Sequence, residues 1–463
     1  MRTFMNRRDM LRRSGLGCGA IALQSLVTKP GFAMEAKPGH FTPKAKSVIW
    51  LFMHGGPSHV DLLDPKPALT KYAGQPLPES FGQVMTRRAV AKNPLLGPIK
   101  PFKKRGASGL EISDFLPAIS QHADDLCVIR SMHGESVNHP QAVYQMNTGG
   151  ILMGRPSFGS WVAYGLGSEN QNLPSFIVLP DPGGGIKGGP PAWGSGYLPA
   201  THQGVTVRPG PTPLIHLNPT STRTRREQRS TLNLIQSLNK RHIEQRLGDD
   251  ELSTRMQAYE LAFRMQAAAP ELVDLSKESA YTRSLYGMDR PETQEFGTRC
   301  LLARRMLEQG VRFVQLYSGD TNGWDAHSDV AKNHGEYCAR TDVPVAGLLF
   351  DLKQRGLLDD TLVIWGGEFG RMPMSEQGKG RDHNPWGYSM WLAGGGLRKG
   401  IAYGATDDVG LRATEKRVSV RNFHATLLHL LGIDHNELTF FHNGLAQRLT
   451  GPDEAEVVEE ILA

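Results

Sequence analysis

The feature that most constrains this chain is a rhythm of short, wholly apolar runs, each closed by glycine, proline or a polar cluster. Ser47–Met53, Leu126–Met132, Ser175–Leu179, Val311–Tyr317, Thr361–Trp365 and Ser389–Ala393 are all of that kind. They have the length of strands buried on both faces, and helical patterns separate them over Ile112–Ala123, Pro291–Gln309, Ser328–Arg355 and Val420–Leu431. Strands alternating with helices predict an α/β fold, a mostly parallel central sheet with helices on both faces. In such sheets ligands bind beyond the carboxyl ends of the strands, so chemistry is expected just after each run. Two stretches break the rhythm. Residues 180–213 are rich in Gly and Pro and predict a long ordered loop or lid, and residues 223–268 predict a charged helical insertion.

Polar motifs do follow the runs. After the first comes His54-Gly55-Gly56-Pro57-Ser58-His59-Val60-Asp61, in which glycines allow close approach of backbone to a ligand and His54 is the leading functional candidate. His59 and Asp61 read equally well as solvated turn residues. After Val311–Tyr317, Asp325 and His327 stand two apart, so on extended chain both side chains point the same way, as two ligands of one divalent metal would. Asp320 reads as a brace for the loop backbone. After Thr361–Trp365, Glu368 is flanked by glycines and Arg371 follows, with Arg381-Asp382-His383 downstream. Glu368 and His383 are candidate metal ligands, and Arg371 has the fork that clamps an anion bidentately. The alternatives are that Glu368 caps a helix and Asp382 pairs with Arg381 or Arg371.

The segment Gly356–Gly370 resembles the strand-end segment that carries metal ligands in the sulfatase and alkaline-phosphatase superfamily, and Phe423–Ile433 resembles its closing helix. More closely, the chain resembles the DUF1501 family of exported, sulfatase-like proteins over residues 45–450, through Gly55-Gly56-Pro57-Ser58-His59, Asp64-Pro65-Lys66-Pro67, Trp324-Asp325-Ala326-His327 and Glu368-Phe369-Gly370-Arg371. The resemblance implies one or two divalent metal ions, of unspecified identity (Zn, Ca, Mg or Mn), on His54, Asp325, His327, Glu368 and His383. It also implies a metal-dependent hydrolase of sulfate or phosphate esters, acting on an anionic ester or a sulfated glycan. The pattern departs from the superfamily at three points. His54 stands where the superfamily has its first-strand Asp. Glu368-Phe369 stands where an acid–His or acid–Asn pair belongs. His139 occupies the place of the Cys or Ser that becomes formylglycine, so formylglycine chemistry is not supported. His139 is left as nucleophile or general acid, with Ser136 as a second nucleophile candidate and Arg371 as the charge stabiliser. The rival expectation is a catalytically silent fold that binds metal or glycan outside the cytoplasm.

The N-terminus predicts that location. Asn6-Arg7-Arg8-Asp9-Met10-Leu11 precedes a modestly apolar stretch far shorter than the ~20 residues of a membrane span. Gly31-Phe32-Ala33 then offers a small-x-small cleavage site, so residues 1–33 read as a twin-arginine signal for export to the periplasm. That segment holds six basic residues and one acid, which lowers the formal charge from +6 to +1 in the mature chain. Such a balance calls for neither nucleic acid nor a membrane surface. Of four cysteines, Cys18 lies in the signal, so Cys127, Cys300 and Cys338 cannot all pair and no disulfide scaffold is expected.

Overall fold

The computed structural model describes residues 35–208, 214, 224–245 and 250–463. The expected signal, residues 1–33, lies outside them. The strands that matter are β1 (Ser47–Met53), β2 (Leu126–His133), β3 (Phe176–Leu179), β4 (Val205–Thr206), β5 (Phe313–Ser318) and β6 (Thr361–Gly366). They continue with β7 (Gly370–Glu376), β8 (Gly380–Asn384), β9 (Tyr388–Gly394), β10 (Ile401–Tyr403) and β11 (Val418–Ser419). All but β7 and β8 form one nine-stranded sheet, in the order β10-β2-β9-β6-β1-β5-β3-β4, with β11 also paired to β2.

The sheet is mixed but mostly parallel. β1 sits at its centre between β5 and β6, parallel to both. Strand β9 alone runs against the rest, paired antiparallel with β2 and β6. That reversal has a local cause. The β7–β8 hairpin is built beyond the carboxyl edge of the sheet, and β9 is the chain's return from it.

Alternation along β1 explains the layers. Trp50 and Phe52 join one core with Val143, Phe158, Trp161, Phe423 and Leu427. Ile49, Leu51 and Met53 join a second with Phe296, Cys300, Tyr337, Val345 and Leu348. The first core is covered by helices α1 (His139–Thr148), α2 (Phe158–Leu166) and, near the C-terminus, Val420–Leu430; the second by Pro291–Glu308 and Val330–Gln354. Because both faces of each strand are buried, the strands must read as continuous apolar runs. The helical insertion is a pair of packed helices, Arg225–Gln245 and Asp250–Val273.

One expected helix is absent. Ile112–Ala123 divides into a strand, Leu110–Ser113, paired with Phe102–Arg105, and a 3-10 stretch, Ile119–Asp125. Pro117 bars the preceding residue from helical dihedrals, and Leu110 and Ile112 bury alternate positions as a strand does. Cys127, Cys300 and Cys338 are buried free thiols. Among the described residues no helix is long and apolar enough to cross a membrane.

Candidate metal centre

Four segments deliver the centre to the carboxyl edge. His54 is the first residue after β1, held where its N–H donates to Ser318 O of β5 at 3.0 Å. Gly55 and Gly56 then take φ of 108° and 80°, which turns the Gly55 N–H onto both oxygens of Glu368, at 3.0 and 3.1 Å. A Cβ on Gly55 would sit 2.6 Å from Asn322 O, Trp324 N and Asp325 N, so only glycine allows these loops to meet. The loop after β5 is braced as expected: Asp320 Oδ1 accepts from Asn322 N and Gly323 N. The hairpin is stitched alongside, Arg381 N donating to Ala326 O at 2.9 Å.

The result is a row of four imidazoles. Ring centroids run His54–His139 at 5.8 Å, His139–His383 at 4.2 Å and His383–His327 at 4.7 Å. His139 opens helix α1 as its first residue and is 1 % exposed. Its Nδ1 faces Glu368 Oε1 at 2.7 Å and its Nε2 faces Asp325 Oδ2 at 3.0 Å. Asp325 Oδ1 also lies 3.0 Å from His383 Nε2, 2.9 Å from His327 Nε2 and 2.7 Å from Arg371 Nη2. At the far end His327 Nδ1 meets Glu376 Oε2 at 2.6 Å, and His383 Nδ1 meets Val137 O at 2.6 Å.

Burial and charge set the protonation states. Burial pushes His54 and His383 below the ordinary histidine range, against the pull of Glu368 and Asp325 respectively. Burial opposes ionisation of Asp325. Arg371 and the imidazoles of His139, His327 and His383 outweigh it and hold this carboxyl well below the usual range. Glu368 follows the same logic: burial raises it, but the His139 hydrogen bond and the neighbouring imidazoles bring it down. Neutral imidazoles beside ionised carboxylates are the states a divalent cation requires.

Three groups of donor atoms lie close enough to hold an ion: His54, His139 and Glu368; His139, Asp325 and His383; His327, Asp382 and His383. The donor set fits a metal on a further observation. The Nε2 atoms of His139 and His327 are buried and make no hydrogen bond, although Asp325 stands 3.0 and 2.9 Å from them. A buried polar nitrogen left so is costly unless something else satisfies it.

All five metal candidates from the sequence, His54, Asp325, His327, Glu368 and His383, are therefore brought together. Arg371 is present but fully buried, donating to Gly55 O, Gly56 O at 2.9 Å, Arg381 O at 3.1 Å and Asp325. Ser136 is engaged locally, its Oγ donating to Gln141 Oε1 at 2.7 Å and accepting from Asn138 N. Three participants escaped the sequence reading. Asp382 pairs with neither arginine weighed for it; it accepts from Arg88 N at 2.7 Å and His383 N at 2.8 Å, while Arg381 bonds Asp61. Glu376 backs His327. Lys187, the lone cation between Gly185 and Gly189, reaches Asp325 Oδ2 with its ammonium at 2.8 Å; its setting in a glycine-rich loop was the signal available.

The sequence profile of a family described as a protein of unknown function (DUF1501) matches residues 45–462. The chain belongs to the DUF1501 family. No curated protein sequence matches it. Solved structures that align with this DUF1501 protein include the lipoteichoic acid synthase LtaP of Listeria monocytogenes, at 9% identity and TM-score 0.34, covering 91% of this chain and 79% of that one. An alkaline phosphatase superfamily protein of Vibrio parahaemolyticus aligns at 10% identity and TM-score 0.33, covering 93% and 76%. A sulfatase from Pseudoalteromonas aligns at 12% identity and TM-score 0.33, covering 89% and 72%. Likeness at this level carries no assignment of activity to the DUF1501 chain.

Proposed function

We propose that this protein is a metal-dependent hydrolase of sulfate or phosphate esters, working outside the cytoplasm after twin-arginine export. The observation that carries the reading is the position of His139. A neutral imidazole has one N–H, yet both ring nitrogens of His139 face ionised carboxylates, Glu368 and Asp325. Such a ring needs either a second proton or a cation close by, and the unpartnered Nε2 atoms of His139 and His327 favour a cation. His54, His139, Glu368, Asp325, His383, His327 and Asp382 would hold it, as one ion or as two sharing His139 or His383. Once bound, the metal would supply Lewis acidity toward an ester oxygen and acidify coordinated water.

The chain's own residues divide the remaining work. Arg371 fixes the Gly55–Gly56 turn and orients Asp325, which makes it a positioning residue rather than a direct ligand of the ester. With an ion on the third group, His327, Asp382 and His383, His139 is the group best placed to exchange a proton with a reacting oxygen; with an ion on either of the other two groups it is a ligand instead. Ser136, tied to Gln141 and Asn138, is the weaker candidate. The test is metal analysis of purified protein, followed by turnover of 4-nitrophenyl sulfate and phosphate with each of Zn, Mn, Ca and Mg. Metal uptake that persists unchanged in both Glu368→Ala and His383→Ala would overturn the reading.

One observation favours a silent binding protein instead. Both oxygens of Asp325 are already shared among Arg371, Lys187 and three histidines. Stoichiometric metal with no turnover of any ester, together with retention of sulfated glycan, would select that alternative.

A further inference from the structure

Lys187 touches two of the three donor groups at once. Its backbone N–H donates to His54 Nε2 at 3.0 Å, while its ammonium lies 2.8 Å from Asp325 Oδ2. His54 Nδ1 is spent on Asp320 O at 3.1 Å, so Nε2 carries the lone pair available to an ion, and Lys187 covers it. Asp325 Oδ2 is likewise the oxygen that faces the unpartnered His139 Nε2. The covering residue sits in a glycine-rich turn, in which Gly184, Gly188 and Gly189 have φ of 153°, 116° and 65°. Tyr144 Oη, donating to Gly188 O at 2.7 Å, anchors it from helix α1. The Lys187 side chain is 24% exposed, so it has solvent to move into.

We infer that Lys187 is a resident counter-cation that a divalent ion on either of these two groups must displace, the first group excluding its amide contact and the second its ammonium contact. The inference rests on the metal reading above and adds a residue to it. An ion on the first group needs His54 Nε2, from which the Lys187 amide must withdraw. An ion on the second brings like charge against the ammonium at Asp325. Loading therefore shifts residues 183–189 away from the centre and releases a positive charge at its mouth.

Two measurements test this without reference to turnover. Isothermal titration of metal-free protein with Zn(II) alone, and separately with Mn(II), should show Lys187→Met binding about three- to fivefold tighter than the parent, the size of change that goes with one ion pair of this exposure. Lys399→Met, on a remote exposed lysine, should titrate like the parent. Hydrogen exchange of the parent should accelerate across 183–189 when Zn(II) is added, since the Lys187 amide loses its acceptor. Equal or weaker binding by Lys187→Met, or slower exchange in that segment, overturns the role of Lys187 while leaving the metal centre intact. No uptake by either protein overturns the centre and this inference together.

Discussion

Arg371 and Asp325 are joined at 2.7 Å with the arginine fully enclosed and the aspartate 7% exposed. Removing the acid therefore strands a guanidinium inside the protein. Asp325→Ala should lower unfolding stability by about 3–5 kcal/mol, the usual consequence of breaking a buried pair from one side. Asp325→Ala/Arg371→Met should recover part of that loss. Chemical denaturation checks both, and a cost under about 1 kcal/mol would mean that the pair is not buried in solution.

Metal and stability should fall together in ligand variants. Glu368→Ala and His383→Ala are each expected to lower bound Zn or Mn and to abolish most of the metal-dependent rise in Tm, because an ion that binds only the folded state stabilises it by mass action. Thermal melts with and without a chelator provide the measurement. A variant whose melt still responds to chelator like the parent retains its metal, and the altered residue is then structural.

His139→Ala separates chemistry from ligation. If His139 moves a proton, turnover should fall by about 100-fold or more with metal content unchanged. If it is a ligand, metal and activity decline in parallel. Full activity and full metal in this variant would remove His139 from the mechanism.

Acid should begin to destabilise the fold above the ordinary carboxylate range. Burial holds His334 down to about 3 and His424 to about 4, and neither is exposed. An unfolded histidine takes a proton near pH 6.5 whereas these two refuse it, so the unfolded state gains as pH falls from about 6.5 toward 4. Each group should cost about 3 kcal/mol across that interval, since every tenfold difference in proton affinity is worth roughly 1.4 kcal/mol. Denaturation at pH 7 and pH 4.5 with His424→Gln as comparison checks it; an unchanged pH slope in the variant would rule His424 out.

Export is tested at the signal. Replacing Arg7-Arg8 with Lys-Lys should leave the precursor in the cytoplasm, and mature protein appearing outside as before would remove the twin-arginine assignment.

The parts of this molecule that could be read in advance are those where burial leaves a regular trace. β1, β2, β5 and β6 are enclosed on both faces and show it as unbroken apolar runs. His54 and Glu368 were found because they stand directly beyond two of those runs. The β7–β8 hairpin was missed because it is buried yet charged: Arg371, Glu376, Arg381, Asp382 and His383 all lie within it. Its polar groups are satisfied across the fold, by Asp61, Asp325, His327 and Arg88, and no local pattern announces such partners. Glu376 was invisible for the same reason. Helix α2 was hidden by Gly159 and Gly165, which weaken a helical signal.

The contact between His139 and Glu368 closes 229 residues of chain, and that between Gly55 and Glu368 closes 313. Nothing local preassembles this centre. Its ligands meet only once β6 has docked against β1 and the hairpin has folded over both, after the entropy of two long loops has been surrendered. A half-made chain, or a fragment cut anywhere between α1 and β6, separates the ligands of the two donor groups that share His139. An ion on either of those groups would have nowhere to bind until folding is essentially complete, which makes its retention a readout of the finished fold.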